Sequence, residues 1–198
     1  MIDDKLFLQL IELTDKLFLQ LIELTAAVLG FAYVFLIATN RSIGWFFGIA
    51  SGSLYAYFFY RAETWGLFSQ QIAYVILGFY GLMTWSSKKE SLPIRFIGKT
   101  IAYWILGGIL AGLVFNAIVT GSWGFRNLLD AQFFIFSLIA TWLTTRKIIE
   151  NWHIWIVVNV IGTIWFVYEH WWSTSALYLA YLILAINGLH KWKKEIYA

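Results

Sequence analysis

The chain has 198 residues, of which 61% are hydrophobic and 13% charged, with one proline and a net charge of +3; mean hydropathy is +0.71. A soluble domain carries about 25% charged residues, so these values exclude an ordinary water-soluble fold, and a charge of +3 needs no nucleic-acid partner to explain it. Cysteine is absent, which excludes disulfides, thiolate metal sites and dithiol redox chemistry.

The N-terminus opens with Asp3 and Asp4 where the basic region of a signal peptide would stand, so none is expected. The segment Asp4–Thr14 then recurs without change as Asp15–Thr25. An unchanged tandem copy has had no time to diverge and reads as a duplication introduced by cloning or chain editing; an amphipathic interfacial helix is the alternative. About 20 apolar residues cross a bilayer as a helix, and seven such spans follow: roughly 18–39, 43–60, 66–86, 97–117, 128–145, 152–168 and 174–191. Short polar breaks separate them, too short for a soluble domain.

Lys and Arg set the orientation. With the N-terminus outside, the inner loops hold Arg41, Lys88, Lys89, Arg95, Lys99, Arg146, Lys147, Lys191, Lys193 and Lys194, and the outside holds Lys5, Lys16, Arg61 and Arg126. Ten against four predicts the N-terminus out and the C-terminus in.

The chain also repeats at long range. Residues 45–85 laid over 152–192, an offset of 107 without gaps, match at eleven of 41 positions, including Trp45/Trp152, Trp65/Trp172, Tyr74/Tyr181, Gly81/Gly188 and Trp85/Trp192. Upstream, Leu36-Ile-Ala-Thr39 recurs as Leu138-Ile-Ala-Thr141, with five extra residues in the following loop. Two units of three crossings joined directly would point oppositely; the unmatched fourth span restores parity. The expectation is an all-α integral membrane protein of seven transmembrane helices. Two parallel three-helix bundles (18–86 and 128–191) are joined by a linker helix (97–117), with an N-terminal segment (1–17) and a cytoplasmic tail (192–198). Doubled membrane units are a common plan for transporters that hold a site between the halves, which predicts a central cavity on the shared axis.

Candidate site residues come from the helical faces. In span six, Trp152, Trp155, Asn159, Gly162 or Thr163 and Phe166 share one side. An Asn in mid-membrane is costly unless it is paired or faces a wet cavity, so Asn159 either binds a ligand or bonds across helices as packing glue. Span three aligns Gln71, Tyr74, Gly78, Gly81 and Trp85; span seven aligns Tyr178, Tyr181, Ala185, Gly188 and Trp192. Gln71 and Tyr178 are repeat-equivalent, as are Tyr80 and Asn187, so the halves offer different hydrogen bonds at one level. Span two carries Trp45, Gly48, Ser51 or Gly52 and Tyr55; its Gly-rich run has no following Lys and reads as close packing rather than a phosphate loop. Trp85 and Trp192, at the basic ends of their spans, read as interfacial anchors, as does Trp152.

No acidic residue lies in the middle third of a span, which favours uncoupled movement, and His153 and His170 stand too far apart on span six to share a metal or haem. No nucleotide-binding, metalloprotease or serine-nucleophile motif is present. Twelve tryptophans exceed what interface belts need and suit a flat ring ligand, with about 0.5–2 kcal/mol more per contact for a cationic ring.

The stretches Ile22–Gly30, Asn40–Gly48, Gln71-x-x-Tyr74 through Tyr80-Gly81 and Trp85, Asn151-Trp-x-x-Trp-Ile-Val-Val-Asn159, Ser175–Tyr178 and Gly188-x-x-x-Trp192 together resemble the PnuC family of vitamin transporters. The likeness covers about residues 20–195; the extra N-terminal copy is outside it. The resemblance implies uptake of nicotinamide riboside across a bacterial inner membrane by a facilitator, with a cytoplasmic kinase trapping the product, and a fold like a full-length relative of the SWEET sugar transporters. It implies that Trp45, Tyr55 and Trp155 stack on or fence the rings, with Gln71, Asn159, Tyr178 and Asn187 bonding the carboxamide and ribose and Tyr74 in the same site. No cofactor or metal is implied; the lipid bilayer is a partner and a homo-oligomer is compatible with the sequence. Relatives carrying thiamine, riboflavin, deoxynucleosides or sugars are the nearest alternatives. A haem subunit or membrane enzyme, and a purely structural subunit, are the distant ones.

Overall fold

The computed structural model describes residues 4–86 and 92–197. Seven α-helices account for most of them: α1 (Asp4–Ala38), α2 (Gly44–Arg61), α3 (Trp65–Ser86), α4 (Ile101–Val119, entered through a 3-10 turn at Gly98–Thr100), α5 (Phe125–Thr145), α6 (Asn151–Tyr168) and α7 (Trp172–Ile196). Five of the seven are long and apolar enough to cross a membrane. The two that fall short, α2 and α7, carry the Ser, Thr, Tyr, Asn, Gly and basic residues, several of which face inward.

Most expected spans agree with these helices to within a few residues. Two ends differ. α1 begins eleven residues before the second copy of the repeat, because Leu, Gln, Glu and Lys are good helix formers and no Gly or Pro interrupts them before Gly30. At 1.5 Å per residue its 35 residues reach about 50 Å, well beyond a hydrocarbon core of about 30 Å. α7 runs on to Ile196, so residues 192–196 are helix rather than tail. Lys88 and Lys89, counted toward the orientation, lie outside the described residues.

Four turns have one design. Arg41 N–H bonds the Leu36 carbonyl while Asn40 N–H bonds Ile37, which is the paired bonding of a Schellman cap with its left-handed residue. The same pair recurs as Ile148 to Leu143 with Lys147 to Thr144, as Thr64 to Phe59 with Glu63 to Tyr60, and as Trp171 to Phe166 with His170 to Val167. The left-handed residues are Asn40, Glu63, Lys147 and His170, with φ between 51° and 60°.

These caps correct the upstream register of the repeat. Asn40 and Lys147 are 107 residues apart, as are Glu63 and His170. The ends of α1 and α5, Ala38 and Thr145, differ by the same number, as do the starts of α2 and α6 and of α3 and α7. The Leu-Ile-Ala-Thr match at an offset of 102 is therefore coincidental: it pairs the last turn of α1 with residues one to two turns before the end of α5, and no insertion separates the halves.

Packing follows chain order within each half. α2 lies between α1 and α3, and α6 between α5 and α7; α3 then touches α5 and α7 touches α1, so six helices close a cycle. α4 stands outside it, resting on α5 through Gly108 and Gly112, where Phe136, Ile139 and Gln132 come close.

At the basic end the cycle is filled by tryptophan. Trp45 meets Trp85 edge-on at 5.6 Å and 86°; its repeat partners Trp152 and Trp192 meet at 5.4 Å and 87°; Trp85 and Trp192 join the pairs at 5.9 Å. All four are buried, within a cluster that includes Ile37, Ala38, Ile149 and Ala185. Trp85, Trp152 and Trp192 are thus core residues and not the interfacial anchors expected of them: their indoles turn into the seam between the halves. Gly81 and Gly188 make room, for a Cβ on either would fall inside the ring of Trp45 or Trp152.

Overpacking a filled core costs about 1–3 kcal/mol. Gly81→Val and Gly188→Val should therefore each lower the thermal unfolding temperature of the purified chain, and by similar amounts. Parent-like stability in both would contradict the repeat-related packing.

Candidate functional site

Toward the middle of the membrane the inner faces turn from indole to phenol, amide and hydroxyl. α2 supplies Ser51 and Tyr55, α3 Gln71 and Tyr74, α6 Asn159, and α7 Tyr178 and Tyr181; α1 adds Tyr33 and α5 Ser137. Spacings of three or four residues put each pair on α2, α3 and α7 on one face. Ser51 Oγ donates to the Ala26 carbonyl at 2.7 Å, fixing α2 on α1. Ser175 Oγ donates to the Thr163 carbonyl at 3.0 Å, fixing α7 on α6.

The phenols converge from both halves. Tyr33 lies within electrostatic reach of Tyr74, Tyr74 of Tyr178, and Tyr181 of both Tyr55 and Tyr178. Tyr74 also sits beside Ser137 across the α3–α5 seam. A Cβ placed on Gly30 would stand 3.1 Å from Ser51 Oγ and 3.4 Å from the Tyr181 hydroxyl, so those two hydroxyls approach α1 at the same point.

The two halves differ here in a compensated way. α2 carries Gly52 and Tyr55 where α6 carries Asn159 and Gly162, and α3 carries Gln71 where α7 carries Tyr178. Gly162 lets the Tyr178 ring lie against the α6 backbone, and Gly52 lies against Gln71 and Val75. Total bulk is kept while hydrogen-bonding character is exchanged. Tyr178 is flanked by Phe166 at 5.1 Å and Phe133 at 6.4 Å, and Tyr55 stacks on Phe59 at 5.7 Å.

Asn159 is 4% exposed. Among the described residues its amide makes no hydrogen bond with protein; only its backbone carbonyl is used, by Thr163. Nor do the side chains of Gln71, Tyr55, Tyr178 and Tyr181 bond a protein group among the described residues. Of these five Asn159 is buried and Gln71, Tyr55, Tyr178 and Tyr181 are half-buried; amide and phenol groups with spare hydrogen-bonding capacity, brought in by both halves, are what a polar ligand requires.

The expected residues fall into three groups. Tyr74 and Tyr178 approach each other, Tyr55 approaches Tyr181, and Gln71 lies against Gly52. Asn159 is buried on α6 one turn before Gly162, on which Tyr178 rests, and half-buried Trp155 packs against the tryptophan layer and the apolar α5–α6 cluster of Leu143, Ile154 and Val158. Trp45 is 1% exposed and is walled by Tyr33, Trp85 and Gly81; it lies under the site rather than in it. Asn187 is exposed and shares the outer face of α7 with Ile183, roughly 100–160° around the helix from Tyr181, Ala185 and Gly188. Sequence reasoning passed over Tyr33, Ser51, Ser137 and Tyr181 as members of the site. Tyr181 was legible as the repeat partner of Tyr74; the small hydroxyls and Tyr33 carry no such signal.

Two cavities, of about 400 and 350 Å³, open on the outer wall beside α4, lined by Trp104, Trp142, Ile139 and other apolar residues. They lie off the axis where a cavity was expected. Among the described residues no group of three or more His, Asp or Glu could hold a metal ion.

The model of the nicotinamide mononucleotide transporter family matches residues 20–194. The chain is similar to the nicotinamide riboside transporter PnuC of Escherichia coli K12, 22% identical over 195 residues and covering 83% of this chain and 82% of that one. It is likewise similar to PnuC of Neisseria mucosa, 26% identical over 191 residues, with 86% and 71% covered. A crystal structure of the vitamin B3 transporter PnuC superimposes with a TM-score of 0.66 at 24% identity, covering 89% of this chain and 82% of its own, which shows a shared fold. The first repeat copy, residues 4–14, precedes the matched region. The chain belongs to the nicotinamide mononucleotide transporter family and is a relative of the PnuC transporters.

Proposed function

We propose that the chain takes up nicotinamide riboside by facilitated movement across a bacterial inner membrane. The carrying observation is the set of amide and phenol groups, Asn159 buried and Gln71, Tyr55, Tyr178 and Tyr181 half-buried, that both halves contribute and that bond no protein group among the described residues. Asn159, Gln71 and Tyr178 supply the donors and acceptors that a carboxamide and ribose hydroxyls require, and Tyr55 and Trp155 fence the ring. A pyridinium cation over such rings gains about 0.5–2 kcal/mol per contact. The PnuC relatives are named for this substrate.

The family's name points to the mononucleotide, and the site argues for the riboside. The nucleotide adds a phosphate group. Among the described residues no Lys or Arg stands at the level of Asn159: Arg61, Arg126, Arg146 and Lys191 lie toward helix ends, and Lys16, within α1, follows Asp15, which pairs with Arg61 at the end of α2. An unpaired anion in a low-dielectric site costs several kcal/mol. The carboxylates nearest the site, Glu23 of α1 and Asp130 of α5, lie within electrostatic reach of Tyr55 and Tyr178. The movement proposed is uncoupled, so that the substrate runs down its own gradient and a cytoplasmic kinase that phosphorylates it keeps it inside.

The architecture that supports this is two parallel three-helix units, α1–α3 and α5–α7, with α4 as linker, in the manner of a full-length SWEET-like transporter. The uniform offset of 107 and the cyclic packing support it. The excess of Lys and Arg at the end that carries the tryptophan layer supports that end in the cytoplasm and the N-terminus outside. Rocking of one unit against the other opens the site to each side in turn.

Two outcomes follow. Asn159→Leu keeps the volume and removes the amide; uptake of labelled nicotinamide riboside into cells should fall about 10–100-fold at unchanged membrane expression, and normal uptake would remove Asn159 from the site. In calorimetric titration of the purified chain, nicotinamide mononucleotide should bind at least about 100-fold more weakly than the riboside. Equal affinities would overturn the charge argument.

A further inference from the structure

Among the described residues, the direct side-chain bonds that tie one half to the other at the helix ends all lie at the basic end. Trp85 Nε1 of α3 donates to the Thr145 carbonyl at the end of α5 at 3.1 Å, where Thr84 Oγ1 also donates at 3.2 Å. Trp192 Nε1 of α7 donates to the Ile37 carbonyl at the end of α1, again at 3.1 Å. Asn40 Nδ2 donates to Glu195 Oε2 at 2.7 Å across the α1–α7 seam. At the repeat-equivalent position the Lys147 ammonium stands 4.6 Å over the Trp85 ring, across the α5–α3 seam. At the opposite end the ion pairs Asp15–Arg61 and Arg126–Glu169 each stay within one half. The molecule is thus latched at one end and merely packed at the other.

The latch also closes the axis. Trp85 and Trp192 touch across it at 5.9 Å, and each leans on its own half's Trp45 or Trp152. Nothing the size of a nucleoside passes four packed indoles, so a solute leaving by this end must part Trp85 from Trp192. Their acceptors are carbonyls in the last turns of helices, which water can satisfy once the seam opens; the bonds can therefore break and re-form reversibly.

We propose that Trp85 and Trp192 are the inner gate of the substrate pathway, held shut by their bonds to Thr145 and Ile37 across the two seams and opened when both bonds yield together. The proposal rests on the transport reading for its direction, but its test does not need transport.

The chain has no cysteine, so a single Ala185→Cys beneath the gate, at a position 1% exposed, reports access. In membrane vesicles exposing the basic end, its reaction with a membrane-impermeant maleimide should be slow in the parent background. With Trp85→Phe and Trp192→Phe together, which keep an aromatic ring and remove the N–H, labelling should accelerate at least about tenfold. A second reporter toward the opposite end, Ala131→Cys, should keep its rate. Unchanged labelling at Ala185→Cys, or equal acceleration at both reporters, would overturn the gate, the latter by showing general loosening. Nicotinamide riboside binding by the double Phe variant is measured in parallel. A chain that never binds the riboside refutes the transport reading and leaves the labelling result standing alone.

Discussion

A polar group held inside a bilayer without a partner costs free energy, and this chain holds several on its axis. Asn159, Gln71, Tyr55, Tyr178 and Tyr181 face a common region and bond no protein group among the described residues, although Asn159 is nearly inaccessible. Their neighbours Ser51, Ser175 and Thr163 do find backbone acceptors, so pairing is achieved wherever it serves helix docking. Among the described residues, buried atoms without a partner also occur away from this level, at Trp45 and Trp152 Nε1 in the tryptophan layer and at Asn40, Gln132, Glu150 and Asn151. What sets this level apart is that both halves bring amides and phenols to it, and that convergence is the constraint on which the proposed site rests.

The duplication explains how such a place is built. Capping turns, helix ends and Gly–Trp contacts recur at an offset of 107, so the scaffold is symmetric where it must be rigid. The symmetry is broken at Gly52/Asn159, Tyr55/Gly162 and Gln71/Tyr178, where each half has one Gly, one Tyr and one amide in a different order. In the proposed site a symmetric scaffold would thereby present an asymmetric lining to a ligand that has a ring at one end and a sugar at the other. A second asymmetry runs along the axis: seam-crossing bonds and four indoles close the basic end. Burial pushes the Lys147 ammonium below its ordinary pKa, and the charge of Glu195 opposes the shift; both residues sit in that closed end.

Much of this was legible in the residues. Hydropathy gave seven helices because each span is long and uniformly apolar, and helical spacing placed Gln71, Tyr74, Asn159 and Tyr178 on inward faces. The failures have physical causes. Trp85, Trp152 and Trp192 read as anchors because tryptophan near a basic helix end is usually interfacial; only tertiary packing against Gly188 and across the seam reveals them as core. Asn187 was chosen for its polarity and its repeat partner Tyr80, yet a rotation of about 100° per residue carries it to the outer face. Trp45 is held in the tryptophan layer beside Tyr33 and Trp85, a depth that helical spacing does not give. The Leu-Ile-Ala-Thr coincidence shows how four apolar letters mislead where backbone caps do not.

The most direct test is an experimental structure of the chain with nicotinamide riboside. The pyridinium ring should lie between Trp155 and Tyr55, with the carboxamide or ribose within hydrogen-bond distance of Asn159 and Gln71, on the side of the Trp45–Trp152 layer away from the basic end. Ligand in the outer grooves beside α4, or below the tryptophan layer with Asn159 untouched, would contradict the account.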